Sequence, residues 1–362
     1  IAARSAERLE AAAEELRAAG CDAHAIACNI REEDQVKGLD WDYLVDEKPR
    51  GLIARLRMIL TLIRWLWHAP APIMVTTMPA VSVLLPALAR IFRPKAQFVI
   101  IHHVPVQVYH RWLDRMDGLI GQMASVKAVI SVSKAADASL HAKAPAYRAK
   151  CRVITNALPR MLQDQLSAMR GAGRRGEAPA RIVASGRLTA QKNLPMLLNA
   201  MADVEGATLD LIGSGEDEAA LQQQVARLGI GDRIRFLGHL PRPDALAAMA
   251  RGDIFVQVSL YEGHSIALLE AAALGMPIIV SDVPSQIEGV SMADGTAAGI
   301  IVPVDDPQNL ALHINAIVSD EAAYSRWQQL SVALAEQHGF DAMAERYHRL
   351  FQALRQHGKV DN

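Results

Sequence analysis

Short apolar runs alternate with amphipathic ones along most of this chain, and this rhythm constrains its fold more than any other feature. A buried strand is expected over 208–212, a turn at Gly213-Ser-Gly215, an amphipathic helix over 218–228 and another strand over 233–238. The pattern recurs with a strand from Arg181, a helix over 195–202, a strand over 253–258 and a helix over 266–274. Gly275-Met-Pro277 ends that helix and a strand follows over 278–280. Earlier in the chain, strands are expected over 72–77, 96–101, 128–132 and 152–155, with helices between them. Strands and helices alternating at this spacing imply parallel sheets covered on both faces, an α/β class that binds ligands beyond the carboxyl ends of its strands.

At 362 residues the chain exceeds what one hydrophobic core usually supports, and 51% hydrophobic residues suffice for two. The stretch Arg170-Gly-Ala-Gly-Arg-Arg-Gly-Glu-Ala-Pro179 has no apolar period, so a linker is expected over 169–179, between domains at 39–168 and 180–339. Met343, Tyr347, Leu350, Phe351 and Leu354 form a helical stripe within 340–358, which we expect to return to the first domain. The net charge of −1 gives no reason to expect a nucleic-acid partner. Three scattered cysteines suggest neither a disulfide framework nor a metal cluster, and a reducing cytoplasm is the default.

Two stretches carry candidate chemistry. Tyr261, Glu262, Gly263, His264 and Ser265 form a polar turn, and the helix after it carries a second acid, Glu270. The start of a helix offers unpaired N–H groups and a positive dipole end, suited to an anionic or hydroxyl-rich ligand. Two acids at this spacing also fit a polar turn and a solvated helix; the strands on either side favour a site. In the other stretch, Gly186 forms a turn after a strand, and the cations Arg187 and Lys192 precede the next helix.

Together these segments resemble the donor-binding motifs of retaining glycosyltransferases of family 4, over about residues 70–355. The resemblance implies a GT-B fold, two Rossmann-like parallel-sheet domains facing a cleft, the first of them incomplete or chimeric here. It implies transfer of a sugar from a nucleotide-diphosphate-sugar to a glycan or lipid-linked acceptor, with no metal and no cofactor. Arg187 and Lys192 inherit the donor diphosphate. Glu262, Gly263, His264 and Ser265 inherit the transferred sugar, and Glu270 the ribose. Gly186, Gly213 and Gly215 inherit the loops near the donor. His102-His103 ends a strand of the acceptor-side domain, and His103 is the histidine implied to face the sugar. Glu262 is read as a positioning and electrostatic group, not a nucleophile, and Asn156 as a turn former.

Residues 1–38 resemble a different family, the short-chain dehydrogenases, with Arg4 placed to select the NADP phosphate and Asn29-Ile30 beside adenine. The glycine-rich turn of that family is absent, and none of the six tyrosines is followed by lysine four positions on. A nicotinamide enzyme cannot be assembled from this fragment, which fits either a foreign segment joined to the chain, the reading we favour, or a coincidental likeness in a genuine βαβ piece of the acceptor-side domain. An NADP-binding dehydrogenase-like protein and an inactive glycosyltransferase-like binding protein are the alternative readings. Residues 52–67 are apolar with Arg55, Arg57 and Arg64 interspersed and Trp65 and Trp67 near the end. The segment is too short and too charged to span a bilayer, which needs roughly 20 apolar residues. It fits either a peripheral helix at the inner face of a membrane or a packed helix with solvated arginines.

Overall fold

The computed structural model describes residues 51–68, 73–171, 179–337 and 339–357, and the dehydrogenase-like segment 1–38 lies outside them. The chain forms two compact units, one comprising the residues up to Thr155 together with those from Asp341 on, the other running from Asn156 to Phe340.

The first unit is built on a parallel sheet of β1 (Ile73–Thr76), β2 (Gln97–His102), β3 (Val126–Ser131) and β4 (Cys151–Val153), in that order. Successive side chains of β2 point to opposite faces. Phe98 and Ile100 join a core with Leu62, Leu66, Val83 and Tyr147, whereas Val99 and Ile101 join Ala128, Ile130, Tyr347, Leu350 and Leu354. A strand covered on both faces reads as a continuous apolar run, which is why 96–101 carries no alternation. The helix Phe340–His357 supplies the cover on the second face. Helix Gly51–His68 buries Leu62 and Leu66 but leaves Leu56, Leu60 and Trp67 exposed. No helix among the described residues is long and apolar enough to cross a membrane.

The second unit has six parallel strands: β5 (Ala180–Ser185), β6 (Ala207–Ile212), β7 (Ile234–Gly238), β8 (Ile254–Gln257), β9 (Ile278–Ser281) and β10 (Ile300–Val302). Their order is β10-β9-β8-β5-β6-β7. From β5 the chain builds outward through β6 and β7, then returns to the other side of β5 and builds away through β8, β9 and β10. The loops after β5 and β8 consequently leave in opposite directions from adjacent strands. Such a reversal of strand order is where open α/β sheets bind ligands.

The boundary between the units lies earlier than the expected linker. Helix Arg160–Ala168 belongs to the second unit, because Leu158 and Leu166 are buried with Leu269, Leu274 and Leu334. Most of the expected linker, residues 172–178, lies outside the described residues.

Candidate functional site at the strand-order reversal of the second unit

The loop after β5 is shaped by close backbone approaches. Gly213 (φ +130°) lies so near the carbonyl of Gly186 that a side chain at Gly213 would collide with it, and Gly215 lies equally near the carbonyl of Leu188. The two loops thus nest, and Arg187 at the apex is left exposed. Gly186, at φ +150°, lets the Lys192 side chain pass across it; a Cβ there would stand 2.7 Å from Lys192 Cε. Lys192 closes a short 3-10 turn, and Asn193, left-handed at φ 51°, redirects the chain into helix Leu194–Ala202. The Asn193 amide donates to the Val304 carbonyl at 2.8 Å, which holds this strained turn.

The loop after β8 is stitched to the first. Leu260 N donates to the Gln191 carbonyl at 2.8 Å, and Gln191 Nε2 donates to the Tyr261 carbonyl at 3.0 Å. The stitch brings Lys192 Nζ to 2.6 Å from Glu262 Oε1. The same carboxylate oxygen accepts from Ser259 Oγ at 2.8 Å and Gln257 Nε2 at 3.0 Å. Three donors on one buried oxygen fix the carboxylate before any ligand arrives.

Glu270 lies on helix Ile266–Ala273, whose first turn is capped by Ser265 Oγ accepting from Leu268 N at 3.3 Å. It is buried and paired with Arg242 at 2.9 Å. Gly263 and His264 are buried beside Glu262, and the His264 carbonyl accepts from Asn156 Nδ2 at 3.0 Å. Asn156 therefore ties the start of the second unit to the acidic turn, more than its reading as a turn former implied. Among the described residues no cluster of three or more His, Cys, Asp or Glu could hold a metal ion.

His102 and His103 have different surroundings. His102 follows Phe98 and Ile100 to the Tyr147 face and is buried, whereas His103, just past the strand, is half-buried. Tyr147 OH donates to Asp117 Oδ2 at 2.9 Å, so it accepts from His102 Nε2–H at 2.9 Å. His102 Nδ1 then accepts from Tyr109 OH at 3.1 Å. Lys143 closes the network on Asp117 at 3.2 Å and Asp114 at 2.6 Å. Burial pushes the His102 pKa below its ordinary 6.5, against the attraction of Asp117 and with the help of Lys143. The unfolded chain then binds more protons, so the stability this group contributes is present above about pH 6.5 and lost as pH falls below it.

His102→Ala should destabilise the protein by about 1–3 kcal/mol, because the half-buried Tyr109 hydroxyl loses its acceptor and the buried Tyr147 hydroxyl loses a donor. His103→Ala should destabilise less, because His103 is only half-buried, and on the reading that it meets a reacting group it should lower turnover. Thermal unfolding and rate measurements on both variants separate the two histidines; equal destabilisation by the two would refute the distinction.

Lys192 and Glu262 are thus brought into contact, Arg187 lies exposed on the loop that leads to Lys192, and Glu270 is on the helix after Glu262. Sequence reasoning missed Gln191, Arg242, Gln257 and Ser259. Gln257 carried a signal, being a polar residue in an otherwise apolar strand.

Residues 168–331 match the family described as glycosyl transferases group 1. A lipopolysaccharide core biosynthesis glycosyltransferase, LpsE of Rhizobium meliloti, is 31% identical over 152 residues, 41% of this chain and 42% of the relative. Glycogen synthase of Mycobacterium tuberculosis is 28% identical over 176 residues, 44% of this chain and 42% of the relative. The match thus spans less than half the length of each of these curated relatives. Among solved structures, Anabaena Alr3699/HepE in complex with UDP-glucose aligns with a TM-score of 0.76 at 16% identity, covering 97% of both chains. Sucrose-phosphate synthase from Thermosynechococcus elongatus aligns with a TM-score of 0.74 at 20% identity, covering 95% of this chain and 92% of that one. The chain therefore has the two α/β units of the GT-B fold, and its residues 168–331, which hold the paired Lys192 and Glu262, are similar to the group 1 glycosyl transferases.

Proposed function

We propose that the chain is a retaining glycosyltransferase that moves a sugar from a nucleoside diphosphate sugar to a glycan or lipid-linked acceptor in polysaccharide or lipopolysaccharide biosynthesis. The observation that carries this reading is the 2.6 Å approach of Lys192 to Glu262 at the strand-order reversal. A ligand that meets both groups must carry an anion and hydrogen-bond donors side by side, as a sugar joined to a phosphate does. The UDP-glucose complex of the similarly folded Anabaena protein supports the same ligand class.

In this reading Arg187 and Lys192 bind the diphosphate and stabilise the charge that grows on it as the sugar C1–O bond breaks. These two cations neutralise the leaving group, and no metal or cofactor is assigned a part. Glu262, Gly263, His264 and Ser265 surround the sugar, and Glu270 takes the ribose hydroxyls. Gly186, Gly213 and Gly215 give the backbone room to approach the phosphates. The acceptor hydroxyl forms the new bond on the face the phosphate leaves, its proton passing to that phosphate, so configuration is retained. His103 is the first unit's candidate for contact with a reacting group. The exposed Leu56, Leu60 and Trp67, with Arg57 and Arg64 on the same helix, fit peripheral contact with the inner face of a membrane, and we assign the protein to the cytoplasm.

A thermal-shift panel of UDP-, GDP- and ADP-sugars tests the proposal. A ligand at a hundred times its Kd stabilises the folded state by about 2.7 kcal/mol, so one nucleotide class should raise the melting temperature. NMR of the product formed from that donor should show the donor's anomeric configuration. A panel with no shift, or an inverted product, would overturn the reading.

A further inference from the structure

We infer that Gln257 is a specificity residue of this site, its side-chain oxygen accepting a hydrogen bond from one hydroxyl of the transferred sugar. The inference rests on the proposed function and adds a group to it. Gln257 ends β8 and is 4% exposed. Its Nε2 donates to Glu262 Oε1 at 3.0 Å, and the reverse orientation would set two acceptor oxygens against each other, so the amide can point only one way. Its Oε1 is buried, and among the described residues it has no hydrogen-bond partner.

An orphaned buried acceptor is destabilising, and a ligand supplying a donor would recover that cost. The backbone carbonyl of Gln257 accepts from the buried Gln286 Nε2 at 2.8 Å, which anchors the end of the strand, and the side chain is held by its bond to Glu262. Gln257 lines a small pocket together with Gly186, Arg187, Lys192 and Ser259. A diphosphate brings only acceptors to that pocket near neutral pH and cannot satisfy Oε1. A sugar hydroxyl can, and it would sit beside the carboxylate that Gln257 itself holds.

The test uses the full chain and the sugar nucleotide that the panel identifies, with its deoxy and deoxyfluoro analogues at each sugar position. Fluorine accepts but does not donate, so for wild type one position should lose about tenfold in kcat/KM on either replacement. In Gln257→Met the parent donor should lose a similar factor, and the same analogues should then cost less than threefold. Affinity for the bare nucleoside diphosphate should change far less than affinity for the sugar nucleotide. If every analogue loses the same factor in Gln257→Met as in wild type, Gln257 only holds Glu262 and the inference fails. Should the variant not fold, the wild-type series still decides, since deoxyfluoro analogues that perform like the parent at every position overturn the inference. Failure of wild type to bind any sugar nucleotide overturns the proposed function instead.

Discussion

Glu262→Ala is expected to lower sugar transfer by about 10²–10³-fold, the range observed when a preorganised polar group is removed from a reacting centre. Affinity for the bare nucleoside diphosphate should be unchanged or higher. The asymmetry follows from the pairing of Glu262 with Lys192 at 2.6 Å. Without the carboxylate, Lys192 no longer divides its charge between an acid and a phosphate, while the sugar loses its fixed partner. On the proposed assignment Glu270→Ala should do the opposite and weaken the bare nucleotide, because Glu270 is the group proposed to hold the ribose. Calorimetry with nucleoside diphosphate and steady-state rates on both variants provide the comparison, and equal losses of bare-nucleotide affinity would end the division of labour.

Lys192→Ala and Arg187→Ala should each weaken nucleoside diphosphate binding ten- to a hundredfold, since a charge-assisted contact is worth roughly 1.5–3 kcal/mol. Their effects on stability should differ. Lys192 is only 17% exposed and Glu262 11%, so Lys192→Ala also leaves a nearly buried carboxylate without its cation. A fall in melting temperature is expected for that variant alone, because Arg187 is exposed. Unchanged affinity in both variants would remove the diphosphate assignment, whatever their stability.

Much of this arrangement was legible before any coordinates. The helix expected over 218–228 is observed with those bounds, and the strands expected over 208–212 and 278–280 begin or end one residue away. Apolar period and glycine turns act locally, which makes such elements readable. Strand order is not local: nothing in the stretches around Lys192 and Glu262 says that β5 and β8 are neighbours, so their direct contact could not be anticipated. The misplaced linker has a similar cause. A glycine-rich run signals irregular backbone, but only the burial of Leu158 and Leu166 shows which core the preceding helix joins. Arg242 was likewise invisible, because it reaches Glu270 from a helix 28 residues earlier.

The first unit is completed by residues that follow the second in the chain, since Tyr347, Leu350 and Leu354 cover the face of Val99, Ile101, Ala128 and Ile130. During synthesis the ribosome therefore emits the whole of 156–340 before it supplies that cover. Domains generally fold as units while the chain emerges. Here the continuous middle unit can close first, and the apolar sheet made earlier must wait uncovered for the last helix. A nascent chain of this design has its exposure to chaperones and proteases set by the translation time of the intervening segment. A premature stop shortly after residue 340 would leave the second unit intact and remove that helix from the Val99 and Ile101 face of the sheet.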